Sequence, residues 1–70
     1  MSPGRYIANK RIQEAQLLIR AHQDMTLGQI GTTVGYEDNT TFYRNFLQIA
    51  GMSPGKYRQL CREDAQGGTL

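Results

Sequence analysis

Cysteine and tryptophan are scarce or missing: the 70-residue chain has one cysteine, Cys61, and no tryptophan. A lone thiol makes neither an intramolecular disulfide nor a multi-cysteine metal site, and the single histidine, His22, lies far from it along the chain. Neither residue is assigned a function, and no metal or other cofactor is expected. Long apolar runs are also lacking. The longest is Leu17-Leu18-Ile19, against the roughly 20 residues that a membrane-spanning helix needs. No basic-then-apolar stretch opens the chain, so the reading is of a cytoplasmic domain with no membrane partner. Charge of one sign is missing as well: eight basic and six acidic residues leave a net +2, which permits a polyanionic partner without demanding one. An enzyme is set aside, because there is no paired nucleophile and base, no phosphate-cradling glycine loop and no ligand cluster.

What remains is a short chain with 39% hydrophobic and 20% charged residues, a balance that suits a soluble globular domain. A chain this short buries only about 60% of the surface that its unfolded form exposes, so the core must be small. Proline occurs twice, each time after serine, at Ser2-Pro3 and Ser53-Pro54. Serine at an N-cap followed by proline at the first helical position is a helix start. Helix one is expected over residues 3 to 22, with Ile12, Ala15, Leu18 and Ile19 inward. Thr26 caps a short run in which Leu27, Ile30, Gly31 and Val34 share a face, which predicts helix two over 27 to 34. Gly35-Tyr36-Glu37-Asp38 combines a glycine suited to a left-handed helix end with an aspartate suited to a new cap. Phe42, Phe46 and Ile49 then predict helix three over 39 to 50, ended by Gly51. Helix four should run from Pro54 to about Arg62 with Tyr57 and Leu60 inward, and residues 63 to 70 read as a flexible C-terminal tail.

The segment Met1-Ser2-Pro3-Gly4-Arg5-Tyr6 reappears 51 residues later as Met52-Ser53-Pro54-Gly55-Lys56-Tyr57. The chain therefore reads as one complete unit preceded by the closing segment of another. Within the unit, a helix of about eight residues, a turn opening with glycine and a helix of about twelve describe a helix-turn-helix, in which the second helix enters the DNA major groove. Four helices in all give an all-α, homeodomain-like bundle.

On a wheel of about 100° per residue with Phe42, Phe46 and Ile49 inward, Thr40, Tyr43, Arg44 and Leu47 project outward, flanked by Thr41 and Gln48. That face is short of carboxylates. Arg44 suits guanine O6 and N7, Tyr43 and Thr40 suit base edges or a thymine methyl, and Asn39 suits adenine. A solvated polar surface is the plainer alternative, but an exposed tyrosine beside arginine on a convex face has little to do in isolation. Free N–H groups at helix starts bind anions, which makes Thr26, Ser53 and Lys56 phosphate candidates beside Thr41 and Gln48, with Gly55 allowing close approach. Arg11, Arg58 and Arg62 are weaker candidates, since an arginine on a helix flank is more often a solvated or intramolecular partner. The expected partner is double-stranded DNA. The rival is a protein-interaction module that docks on RNA polymerase or another regulator through Tyr43 and Leu47.

The residues resemble the AraC/XylS-type bacterial transcription regulators, whose DNA-binding region carries two helix-turn-helix units joined by a long helix. The resemblance runs from Ser2 to Arg58, through Arg11-Ile12, Leu18-Ile19, Ile30-Gly31, Val34-Gly35-Tyr36, Asp38, Phe42, Arg44, Phe46, Gly51-Met52-Ser53-Pro54 and Tyr57-Arg58. It implies that residues 3 to 22 are the linker helix, that 26 to 62 are the second unit, and that Asn39, Thr40, Tyr43 and Arg44 occupy the base-reading positions. It also implies a first unit and an effector-binding domain outside these residues, with oligomerisation belonging there. Two departures stand out: Leu47-Gln48 replaces the basic residue common in the family after the second phenylalanine, and Gly31 replaces the usual alanine.

Overall fold

The computed structural model describes residues 3–67, with side chains described for 5–63. Four helices follow one another: α1 Pro3–Ala21, α2 Leu27–Thr33, α3 Asn39–Ala50 and α4 Pro54–Gly67. Helix α1 packs against α2, α3 and α4, and α3 packs against both α2 and α4. The core is Ile12, Ala15 and Ile19 from α1, Ile30 and Val34 from the α2 region, Tyr36 from the turn, and Phe42 and Phe46 from α3. Leu18, Met25, Leu27, Ala50, Tyr57 and Cys61 pack around them, and Arg20 reaches Cys61 and Tyr57 across the α1–α4 contact. No helix among the described residues is long and apolar enough to cross a membrane.

The helix boundaries follow from local chemistry. Thr26 and Gln29 close a reciprocal capping box: the Gln29 N–H donates to Thr26 Oγ1 at 3.0 Å, and the Thr26 N–H donates to Gln29 Oε1 at 2.9 Å. At the other end of α2, Gly35 adopts φ +108°. The Tyr36 N–H reaches back to the Gly31 carbonyl at 2.9 Å and the Gly35 N–H to the Thr32 carbonyl at 3.1 Å, a pairing that stops the helix and turns the chain. Asp38 then caps α3 by accepting from the Thr41 N–H at 2.7 Å. Ser53 caps α4 by accepting from the Lys56 N–H at 3.2 Å. The expected Ser2 cap lies outside the described residues.

Three sequence expectations are corrected. Ile49 is 38% exposed rather than inward, because the core-facing arc of α3 centres between Phe42 and Phe46 and the last turn buries Ala50 instead. Leu60 is 39% exposed, because α4 turns Pro54, Tyr57 and Cys61 to the core and leaves Leu60 at the edge of that stripe. Helix α4 also runs on to Gly67, so residues 63 to 67, expected in the tail, continue it, while 68 to 70 lie outside the described residues.

The α2–α3 crossing is close because Gly31 faces the Phe42 ring. A Cβ at position 31 would stand 3.0 Å from Phe42 Cδ2 and 3.1 Å from Cγ. Phe42 is fully buried and wedged among Tyr36, Tyr43 and Phe46 at centroid distances of 5.6, 5.7 and 5.9 Å, so it has little room to yield. Overpacking of such a site costs about 1–3 kcal/mol, against which the better helix propensity of any residue than glycine returns only a few tenths to about 1 kcal/mol. Gly31→Val is therefore expected to lower the urea unfolding midpoint. A midpoint at or above that of the parent would show that Phe42 moves freely.

Candidate nucleic-acid interface

Helix α3 contains no acidic residue, and its solvent face carries Asn39, Thr40, Tyr43, Arg44, Leu47 and Gln48, all exposed. The four expected base-reading residues thus come together on one surface. Asn39, Thr40 and Tyr43 line a single shallow concavity. Tyr43 is 40% exposed, but its ring lies edge-on to Phe42 at 80°, so the core fixes the base of the side chain while the hydroxyl end faces outward. Asn39 sits beside Gly28, whose missing side chain leaves space: a Cβ there would stand 3.5 Å from Asn39 Nδ2. Gly28 escaped the sequence reading, since only the folded α2–α3 geometry brings it next to Asn39.

The expected phosphate-contacting residues fall in three places. Thr26 and Thr41 flank the α2–α3 region, and both already have intramolecular work: Thr26 caps α2, and the Thr41 hydroxyl donates to Asp38 Oδ2 at 3.1 Å. Ser53 and Lys56 stand at the start of α4, with Gly55 beside Leu27, and both are exposed. Gln48 is exposed on the flank of α3 and lines a groove shared with Arg5, Ala8 and Asn9 of α1.

The three arginines rated as weaker candidates are engaged within the fold. The Arg58 guanidinium donates to the carbonyls of both Gln23 and Met25, crossing from α4 to the α1–α2 turn. Arg62 adds a bond to Gln23 Oε1 at 3.1 Å, and Gln23 in turn donates to the Ile19 carbonyl at 3.0 Å. Arg58 Nε is buried without a hydrogen-bond acceptor, so the carbonyl bonds hold the guanidinium despite an unmatched donor. Arg11 lies over the Tyr36 ring at 5.5 Å, a cation–π arrangement that also packs against Gly35. The resemblance reached Arg58 and not Arg62, but its role had no local signature, because its acceptors are backbone atoms more than thirty residues away.

These features define a helix-turn-helix domain: a short helix, a glycine-ended turn, and a longer helix whose outer face is exposed and free of carboxylates. The chain belongs to the AraC-type helix-turn-helix family of transcriptional regulators; a family model described as helix-turn-helix domain matches residues 1–60. It is 38% identical over 66 residues to the uncharacterized HTH-type transcriptional regulator YisR of Bacillus subtilis, covering 94% of this chain and 23% of that protein. It is 37% identical over 65 residues to the HTH-type transcriptional activator RhaR of Klebsiella pneumoniae, covering 93% and 23%. To the arabinose operon regulatory protein of Escherichia coli it is 34% identical over 55 residues, covering 79% and 18%. The chain thus spans less than a quarter of the length of these relatives. No solved structure matches it.

Asp38 is the one carboxylate that caps the helix bearing this face. The Thr41 backbone N–H, then the Thr41 hydroxyl, and to a lesser degree Arg44 hold its carboxyl below the usual range. A depressed folded value means that the cap's contribution is complete above the unfolded value, about 4, and is lost as pH falls from there through the folded value. Asp38→Ala should therefore lower the melting temperature at neutral pH, and its gap to the parent should close on acidification below about pH 4. A gap that stays constant down to the acid limit of folding would remove Asp38 from the acid response.

Proposed function

We propose that this chain binds double-stranded DNA sequence-specifically, as part of a cytoplasmic bacterial transcription regulator, with α3 in the major groove. The observation that carries the reading is the carboxylate-free outer face of α3, on which Asn39, Thr40, Tyr43 and Arg44 stand exposed together. Arg44 presents its fork to guanine O6 and N7, Asn39 pairs with adenine, and Thr40 and Tyr43 meet base edges. Membership of a family of transcriptional regulators supports the same reading. Thr26, Thr41, Gln48, Ser53 and Lys56 contact phosphates on either side and set the register, which base contacts then exploit. Thr41 does so by sharing its hydroxyl with Asp38.

The second reading, docking on RNA polymerase or another regulator, draws on the apolar exposure of Leu47 and Tyr43. Salt separates the two. Each phosphate neutralised contributes a slope of about −0.9 in log affinity against log salt, so three or four contacts weaken duplex binding steeply, whereas an apolar docking surface responds little. Fluorescence-anisotropy titration with a random duplex and with a selected-site pool, at low and physiological salt, should give salt-sensitive binding and enrichment of a short motif. Absence of binding at low salt would favour the docking reading.

Two substitutions sharpen the assignment. Arg44→Ala should lose about 1–3 kcal/mol of discrimination at one guanine while the circular-dichroism spectrum is retained, and unchanged preference would take Arg44 out of the readout. Lys56→Ala should reduce the salt slope by about 0.9, whereas Arg58→Lys, which perturbs carbonyl bonds rather than a phosphate contact, should lower thermal stability and leave the slope alone. A slope change in Arg58→Lys would make that arginine a phosphate contact after all.

A further inference from the structure

We infer that Leu47 is a fifth base-reading residue, which recognises thymine by packing on its C5 methyl group. This rests on the proposed docking of α3 in the major groove and adds an aliphatic contact to the base-edge and thymine-methyl contacts open to Thr40 and Tyr43. With about 100° between successive residues, Tyr43, Leu47, Thr40 and Arg44 occupy one arc of about 100°, and Leu47 lies between Tyr43 and Arg44, closest to Thr40. Thr41 and Gln48 fall outside that arc, on the flank. Leu47 is thus central to the reading face, and it is its most exposed apolar side chain, at 54% against 40% for Tyr43.

The backbone at this point is firmly helical. The Leu47 carbonyl accepts the Gly51 N–H at 3.0 Å, and the helix ends only beyond it, at Gly51 in the left-handed conformation. Leu47 lies about 10 Å along the helix axis from Thr40, at a rise of about 1.5 Å per residue. An isobutyl group offers a phosphate nothing. The only apolar group that base edges present in the major groove is the thymine methyl, and the branched leucine tip, one turn beyond Tyr43 on the same face, suits it. Desolvating one methyl is worth about fourfold in affinity.

The test is a double-substitution cycle on the site selected in the titrations above, measured with Leu47→Ala, a change at an exposed helical position that favours the helix. Each thymine is replaced singly by deoxyuridine, which removes the methyl and nothing else. One such replacement should weaken the parent about fourfold and leave Leu47→Ala unaffected. Leu47→Met, which keeps an apolar tip, should retain most of the parent's sensitivity at that position. Deoxyuridine effects that are the same in parent and Leu47→Ala at every position overturn the inference while leaving α3 as a DNA-reading helix. Failure of the parent to select any site overturns both.

Discussion

The placement of α3 depends on one contact, the bare backbone of Gly31 against the Phe42 ring. Two helices approach this closely only if one of them carries little or no side chain at the crossing, and Phe42 occupies the space that results. From Phe42 the aromatic contacts extend to Tyr36 on one side and through Phe46 to Tyr57 of α4 on the other, the last at 5.6 Å and 64°. Tyr43 leans on the same ring from outside. Phe42 therefore sits at the crossing of α2 and α3 and against an aromatic of the proposed reading face, while its neighbour Phe46 joins α3 to α4. In a chain of 70 residues with a correspondingly small core, this concentration of roles leaves few alternative packings.

Helix ends carry a second layer of order. Each of α2, α3 and α4 begins at a side-chain oxygen that accepts a backbone N–H. The α1–α2 turn, which has no such cap of its own at Gln23 and Met25, is held instead from outside by Arg58. Cations in this domain thus divide by task. Arg11 and Arg58 are absorbed into aromatic and carbonyl contacts, while Arg44 and Lys56 are left facing solvent. The net charge of +2 therefore does not count the cations that face a polyanion, since some of the arginines are engaged within the fold.

Much of this was legible in the sequence, for identifiable reasons. Caps and stops are local: Thr26 with Gln29, Asp38, Ser53-Pro54, Gly35 and Gly51 act within a few residues of themselves, and the boundaries of α2 and α3 follow from them. The exposed, carboxylate-free face of α3 was legible too, since a helical wheel needs only period and polarity. What failed was the angular width of the buried stripe. Ile49 and Leu60 are apolar and near the inward direction, yet the bundle is too thin for its outermost positions to be covered, and whether an edge residue is buried depends on the neighbouring helix, not on its own. Arg58 and Gly28 were opaque for a related reason: a backbone carbonyl or an empty space beside a distant asparagine has no sequence signature.

The composition of the reading face bears on how binding energy is divided. Short polar side chains and a single arginine discriminate among bases but neutralise little phosphate charge, so on the proposed reading α3 supplies selectivity more than affinity. Thr41 points the same way: its hydroxyl already donates to Asp38, so it gives up less to a phosphate than a free side chain would, whereas Thr26 and Ser53 accept in their caps and keep an O–H to donate. Affinity then has to come from cations and backbone amides elsewhere, and the relatives matched here are more than four times as long as the segment they share with this chain. Selectivity in this unit and a large part of the affinity outside it would let a weak, finely discriminating helix serve in a protein that binds tightly as a whole. On the proposed reading, effective concentration would couple the two: with another part of a longer regulator on the duplex, α3 would sample adjacent sequence at a local concentration set by the connection between them.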